Sequence, residues 1–537
     1  MTTEEIARAL KLTAQLMELH NENPFKIKSI ANAAYKLDKT DIVLEGKSLQ
    51  ELEQIEGIGK GIASKINELQ TTGNLKELTA MVEKTPVGVI DIMGIKGIGP
   101  KKVGQLWREL EIESIGELLY ACNENRLITL KGFGAKTQAE VKKQIEFHEF
   151  NRGKFHYASV EQFANSLVDV LKKKYNTELV SLTGAMRRKN EIIEKIDVLI
   201  ASESAVTIDG IENPLNVAVE LLTCAPADFY TKLFETTATE AHLTQTGYAV
   251  GVTYESEQKI YNSLHLQYIA PELREGITEV ALARENKIPT LIEVADLKGI
   301  LHNHSTYSDG MNTLKEMAEY CKVLGYEYLG ICDHSQSAFY AEGLKPERVI
   351  AQHLEIDELN KQLFPFKIFK GIESDILNDG SLDYTEDILK TFDFIVASVH
   401  SNLKMNEEKA TARLIKAIEN PYTTILGHPT GRLLLSRAGY PIDHKKVIDA
   451  CAANGVIIEL NAHPYRLDID WRWIPYCIEK GVMISINPDA HEKQGYHDMY
   501  FGTCVARKGM LTKEHCFNAL NREALQAYFN KRKGIIS

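Results

Sequence analysis

The chain has 537 residues, 44% hydrophobic and 25% charged, with a formal net charge of −12. That length predicts about three domains, and the acidic balance excludes a basic coat that binds nucleic acid through its whole surface. No apolar run reaches the roughly 18 residues needed to cross a bilayer, and the start MTTEEIARALKLTAQLMELH carries acids on an amphipathic pattern, unlike a signal or transit peptide. A cytoplasmic location with no membrane partner is expected. The eight cysteines are scattered and form no C-x-x-C pair, the usage of a reduced protein rather than a disulfide frame. Residues 1–150 hold 20 Lys and Arg against 22 Asp and Glu, leaving 42 against 52 downstream. Any DNA binding must therefore come from local geometry.

Residues 1–150 repeat one theme: IEGIGKGIASKI (Ile55–Ile66), IMGIKGIGPKKVGQL (Ile92–Leu106) and LKGFGAKTQAEVKKQI (Leu130–Ile145). Each reads as a helix end, a G-x-G turn (Gly57 and Gly59, Gly97 and Gly99, Gly132 and Gly134) and a new helix that soon carries lysine (Lys60 and Lys65, Lys101, Lys136). Glycine frees the turn, and the amides opening the next helix can face an anion. One such turn is ordinary packing, but three point to phosphate. The pattern resembles the helix-hairpin-helix motif of DNA repair proteins, which grips the backbone without reading sequence.

Residues 151–270 read as a small α/β domain. The strands are Ile196–Ala201 and Asn216–Cys224, and the basic pair Arg187 and Arg188 stands in a turn. A linker over 271–298 follows. From 299 to 537, apolar strand-like runs alternate with helical ones, the pattern of a parallel sheet closed or wound with helices outside. Six of its seven strands end in His, Asp or Glu: His302, His304 and Asp309 after the first, then His334, Glu373, His400, His428, and the pair Asp489 and His491. A lone histidine there would more often be structural. In a βα-barrel, however, all carboxyl ends meet at one face, and imidazoles with carboxylates suit zinc, manganese or iron.

The runs HNHSTYSDG (His302–Gly310), DH, GIE, VH, GHP and NPDAH resemble the polymerase and histidinol phosphatase (PHP) domain, and the whole chain resembles bacterial family X DNA polymerases that carry this domain C-terminally. The resemblance implies a distorted (βα)7 barrel with three divalent ions (manganese, zinc or iron). His302, His304, Glu373 and Asp489 would hold one and serve as the catalytic group; Asp309, His334 and His491 a second; Glu373, His400 and His428 a third. Arg432 and Arg466 are candidate phosphate clamps, since a guanidinium can grip phosphate oxygens bidentately.

The same resemblance makes the middle domain a palm remnant. The family's G-S-x-R-R turn reads Gly184-Ala185-Met186-Arg187-Arg188 here. The first carboxylate of its D-x-D pair is Lys195, the second is Asp197, and the third acid aligns with Glu220. A lysine ammonium in a metal's place repels the ion, so magnesium binding and nucleotidyl transfer are expected to be lost. In lyase-active relatives a lysine forms a Schiff base with an abasic sugar. Lys65 matches it, with Lys26, Lys28 and Lys60 beside it as candidates for a 5′-phosphate.

The expected function is a metal-dependent phosphoesterase acting on gapped, nicked or 3′-ended DNA in repair. A 3′–5′ exonuclease leads, with 3′-phosphatase and abasic-site endonuclease as variants and a monomer as the expected state. The alternatives are an active family X polymerase with exonuclease, a small-molecule phosphatase of the histidinol phosphate type, and a non-catalytic DNA scaffold.

Overall fold

The computed structural model describes residues 1–39, 42–123 and 126–534. The chain divides into two compact units, Met1–Arg152 and Gly153–Ser537.

The first unit is helical. Its opening helix Thr3–Leu19 starts on a capping box between Thr2 and Glu5, which satisfies two amides that a helix end leaves bare. Ile6, Leu10, Ala14 and Met17 recur on one face and are buried, the stripe that a 3.6-residue period produces. Each of the three turns has the same build. The first glycine is left-handed (Gly57 φ 81°, Gly97 φ 92°, Gly132 φ 87°). A buried apolar residue follows, Ile58, Ile98 or Phe133. The second glycine then precedes the helices Lys60–Thr72, Pro100–Leu110 and Ala135–Asn151. The apolar middle residue pins the turn to the core, so the glycines on either side stand outside.

In the second unit, β1 (Phe155–His156) pairs antiparallel with β3 (Ile192–Ile193). β2 (Val180–Leu182), β4 (Lys195–Ala201) and β5 (Ala218–Cys224) form a three-stranded sheet in the order β2-β4-β5. The helix Tyr157–Tyr175 packs on it through Val160, Ala164, Leu167 and Leu171. Residues 271–298, read as a linker, are folded: they carry the helix Glu279–Arg284 and bury Leu273, Val280, Ala283 and Ile292. Arg274 is fully buried there, paired with Glu257 and packed over Phe234, Tyr261 and Tyr268.

Seven parallel strands follow: β6 (Gly299–Ile300), β7 (Tyr328–Ile331), β8 (Lys367–Asp375), β9 (Phe394–Ser398), β10 (Ile425–Leu426), β11 (Ile457–Asn461) and β12 (Ile484–Asn487), hydrogen-bonded in the order β12-β11-β10-β9-β8-β7-β6. The edges meet beyond β6 and β12 through a bridge between Asn303 and Ala490, so the sheet is nearly closed. Strand side chains alternate. Ile368, Ile372, Ile395, Ala397, Ile458 and Ile484 face the outer helices, while Phe369, Phe394, Val396, Ile425 and Ile457 fill the interior. A Cβ at Gly330 or Gly371 would come within 2.4 or 2.5 Å of the Phe394 ring; these glycines make room for that ring. The helix Arg522–Arg532 sets Phe529 parallel to Phe394, with centroids 5.3 Å apart, at the amino end of the barrel.

Candidate metal centre

Along each strand the inward positions change character. Ile457 is followed by Glu459 and Asn461, Phe369 by Gly371 and Glu373, and Phe394 by Val396, Ser398 and then His400. The apolar floor thus gives way to ionisable groups at the carboxyl ends, and the residues expected as metal ligands gather there. Glu373 is their hub. Its Oε1 lies 3.2 Å from His302 Nε2 and 3.1 Å from both His400 Nε2 and His428 Nε2, and its Oε2 lies 2.9 Å from His334 Nδ1. Asp489 Oδ1 is 3.0 Å from His304 Nε2 and 3.5 Å from His302 Nε2. Asp309 Oδ1 is 3.4 Å from His491 Nε2 and 3.6 Å from His334 Nε2.

Donor atoms converge within 4.8 Å in three groups: His304, Asp309, His334 and His491; His302, His304 and Asp489; and His334, Glu373 and His400. His304 and His334 each join two groups, where the family resemblance apportions them singly, and His428 reaches the cluster through Glu373. The residues fit divalent ions. Among the described residues His304 Nδ1 and His428 Nδ1 are buried with no hydrogen-bond partner, a costly state unless something coordinates them. The set is nitrogen and oxygen only, as zinc, manganese and iron accept.

Electrostatics tie the cluster together. Burial opposes charge on Glu373, but His400, His302 and His334 hold its carboxyl well below the ordinary range. Burial likewise opposes charge on His302, and Glu459, Glu373 and Asp489 outweigh it, raising that imidazole well above its usual value. His400 is raised to about 10 and His491 to about 9 by neighbouring carboxylates that overcome burial. His304 falls to about 3 because burial and two neighbouring imidazoles, His491 and His334, disfavour its charge.

Two partners escape the sequence pattern. Glu459, fully buried on the one strand that shows no ligand of its own, accepts from His302 Nδ1 at 2.7 Å and from the His428 backbone N–H at 2.8 Å. Asp375 holds His400 Nδ1 at 2.5 Å. Both turn an imidazole so that Nε2 faces the cluster, the usual work of a carboxylate behind a metal-bound histidine. An acid inside the apolar run GVIIELN was the available signal. Of the two arginines, Arg466 Nε lies 3.4 Å from Asp489 Oδ2. Arg432 is tied to Asp470 at 2.8 Å and to the carbonyls of Arg466 and Leu467, and so braces the loop that carries Arg466.

In the middle sheet, Asp197 and Glu220 sit opposite each other on parallel strands. The Lys195 ammonium lies between them, 3.0 Å from Asp197 Oδ1 and ion-paired with Glu220. Arg187 is bidentate to Glu257 at 2.9 and 2.6 Å, and Arg188 bonds Glu275 and the Thr237 carbonyl; a phosphate there must displace an acid. In the helical unit, Lys26, Ser29, Gly59, Lys60 and Lys65 line a cavity of about 240 Å³. Lys26 and Lys65 both pair with Glu77, whose carboxyl, despite burial, they hold below the ordinary range. Lys28, Lys60, Lys101 and Lys136 are exposed. A Cβ at Gly59, Gly99 or Gly134 meets nothing within 4 Å, so open space lies before each helix start.

Family models match three segments: a helix-hairpin-helix domain over residues 1–75, a SAM-like helix-hairpin-helix tandem over 89–146, and a PHP domain over 301–463. The chain is 31% identical to the DNA polymerase/3′-5′ exonuclease PolX of Bacillus subtilis, over 99% of its own length and 100% of that protein. The chain belongs to the PolX family. Probable phosphatases of Acetivibrio thermocellus and Clostridium novyi are 28% and 26% identical over 35% and 36% of this chain and 78% of each relative. In this PolX-family chain the PHP match lies in the barrel, whereas the helix-hairpin-helix matches lie in the other unit. No described helix is long and apolar enough to cross a membrane.

Proposed function

We propose that the chain is a DNA-binding, metal-dependent phosphoesterase that trims DNA ends in repair as a 3′–5′ exonuclease, and that its nucleotidyl transfer is lost. The observation that carries the reading is the buried donor cluster, with imidazole nitrogens of His304 and His428 that lack a hydrogen-bond partner, in a chain that also carries three phosphate-competent turns. His302, His304, Glu373 and Asp489 would hold one ion, Asp309, His334 and His491 a second, and Glu373, His400 and His428 a third. Clustered divalent ions supply an activated water and neutralise charge on the leaving oxygen. The chain does the rest. Glu459 and Asp375 fix the imidazole orientations, Arg466 can donate to a phosphate oxygen at the mouth, and the glycine turns hold the duplex by its backbone.

Loss of polymerisation rests on Lys195. Its ammonium already balances Asp197 and Glu220, and a divalent ion at the same place would meet a positive charge at contact distance. A 5′-labelled primer on a gapped template, incubated with manganese with and without deoxynucleotides, tests both halves. Stepwise shortening, no extension, and no activity in the His302→Ala/His304→Ala double variant are expected. Extension would overturn the reading of Lys195.

The likeness of about a third of the chain to probable phosphatases favours a second reading, hydrolysis of small phosphomonoesters. It predicts turnover of histidinol phosphate or p-nitrophenyl phosphate at rates that DNA does not inhibit.

A further inference from the structure

Phe339 is 87% exposed, the most exposed large apolar side chain among the described residues. An exposed phenylalanine needs no explanation where the chain is loose, but this one stands on a clamped loop. The loop leaves β7 immediately after the ligand His334, and its neck is closed by a bridge between Ser335 and Leu344. Ser335 N–H donates to the Glu373 carbonyl at 3.0 Å, and Leu344 N–H to the His334 carbonyl at 2.8 Å. A Cβ on Gly343 would lie 1.9 Å from the Ser335 carbonyl oxygen, so the neck closes as tightly as a bare backbone permits. Ala338 and Ala341, on either side of the tip, are fully buried.

The loop is also tied to the donor cluster from its side. Ser337 Oγ donates to Asp375 Oδ2 at 2.9 Å, and the other oxygen of Asp375 holds His400. The Ser337 N–H donates to Asp383 Oδ2 at 2.7 Å, and Gln336 Nε2 to the Asp383 carbonyl at 2.6 Å. Phe339 is two residues beyond Ser337. A rigid tip at the catalytic rim thus presents a bare aromatic face to solvent, with exposed Lys345 just past the neck. Contrast Phe364, 76% exposed, which precedes β8 at the barrel's other end and lies under the Arg522 guanidinium.

We propose that Phe339 is a stacking platform for the base of the terminal nucleotide of a DNA strand whose phosphodiester lies in the donor cluster. A phosphate alone is the same in every nucleotide and in every small ester. A π-face at the rim adds affinity for a nucleobase and is indifferent to which base, as sequence-independent digestion requires. The proposal rests on the phosphoesterase reading above and names the part of the substrate, beyond the phosphate, that the site recognises.

The test compares wild type, Phe339→Ala and Phe339→Trp on a labelled single strand and on bis(2,2,2-trifluoroethyl) phosphate, a small diester with no aromatic ring, with manganese. Phe339→Ala should raise KM for the strand about tenfold, the scale of one lost base–aromatic stack. Phe339→Trp should stay near wild type, and the small diester should be hydrolysed equally by all three. A strand whose terminal nucleotide lacks its base should cost wild type the same factor and cost Phe339→Ala nothing further. An unchanged KM for Phe339→Ala, or a loss that persists on the base-less strand, overturns the platform while the small diester shows the hydrolase intact. If wild type cleaves neither substrate, the phosphoesterase reading falls and the platform with it.

Discussion

Glu459 carries no ligand atom of its own, yet it grips His302 through a side-chain bond and His428 through the backbone. Glu459→Gln keeps the shape and removes the charge that fixes the His302 tautomer, so metal affinity should fall by about 10- to 100-fold, read by calorimetric titration of the metal-free protein. Lys195→Ala, placed in the His302→Ala/His304→Ala background, leaves Asp197 facing Glu220 without a cation. Its melting temperature should rise with magnesium more steeply than that of the background protein. Residues at this scale differed in how far they could be read. The strand-end donors were visible because each belongs to a local run of sequence. Glu459 was not, because its partner lies 157 residues away and no spacing rule links them. Lys195 was legible as a missing carboxylate, whereas its place between two acids came only from the strand register.

The glycine turns invite a change that separates folding from binding. Gly59 and Gly99 are N-caps in extended backbone, a conformation that aspartate adopts and a position where it stabilises a helix. Aspartate at Gly59 and Gly99 together should therefore leave the melting temperature unchanged or raised. On the proposed reading a carboxylate would then stand in the place of a DNA phosphate, so DNA affinity should fall and the dependence of log affinity on log salt should flatten, measured by fluorescence anisotropy at several ionic strengths. At this scale the strands of the barrel and the three turns follow their sequence periods, since alternation and G-x-G spacing are local signals. The closure from β6 to β12 is not local. It depends on Asn303 meeting Ala490, and residues 271–298 bury Arg274 against rings that all lie outside that segment, Phe234, Tyr261 and Tyr268.

Over the whole molecule, the carboxylates of the barrel mouth are balanced in the metal-free protein by protonated imidazoles, His400 near 10 and His491 near 9. Metal must displace those protons, because a ligating imidazole is neutral. Both values lie above the ordinary imidazole value, so the protons are present at neutral pH and are lost only as pH climbs through 9 and 10. Apparent metal affinity should accordingly rise with pH from 6 to 9, by about one logarithmic unit per pH unit for each proton displaced. His304, already neutral near 3, contributes nothing to that slope. Titration in buffers of different ionisation enthalpy counts the protons released.

The floor of the barrel sets a further condition on traffic. Phe369, Phe394, Phe517 and Phe529 close the amino end with stacked and edgewise rings, so a strand that reaches the donor cluster at the carboxyl ends cannot thread on through the barrel. On the proposed reading each released nucleotide leaves by the way the strand came in, and the strand must back off or yield room before the next cut. Product and substrate therefore compete for the same opening. Nucleoside monophosphate should inhibit digestion competitively with the strand, and trap experiments with excess unlabelled DNA should show few cuts per encounter.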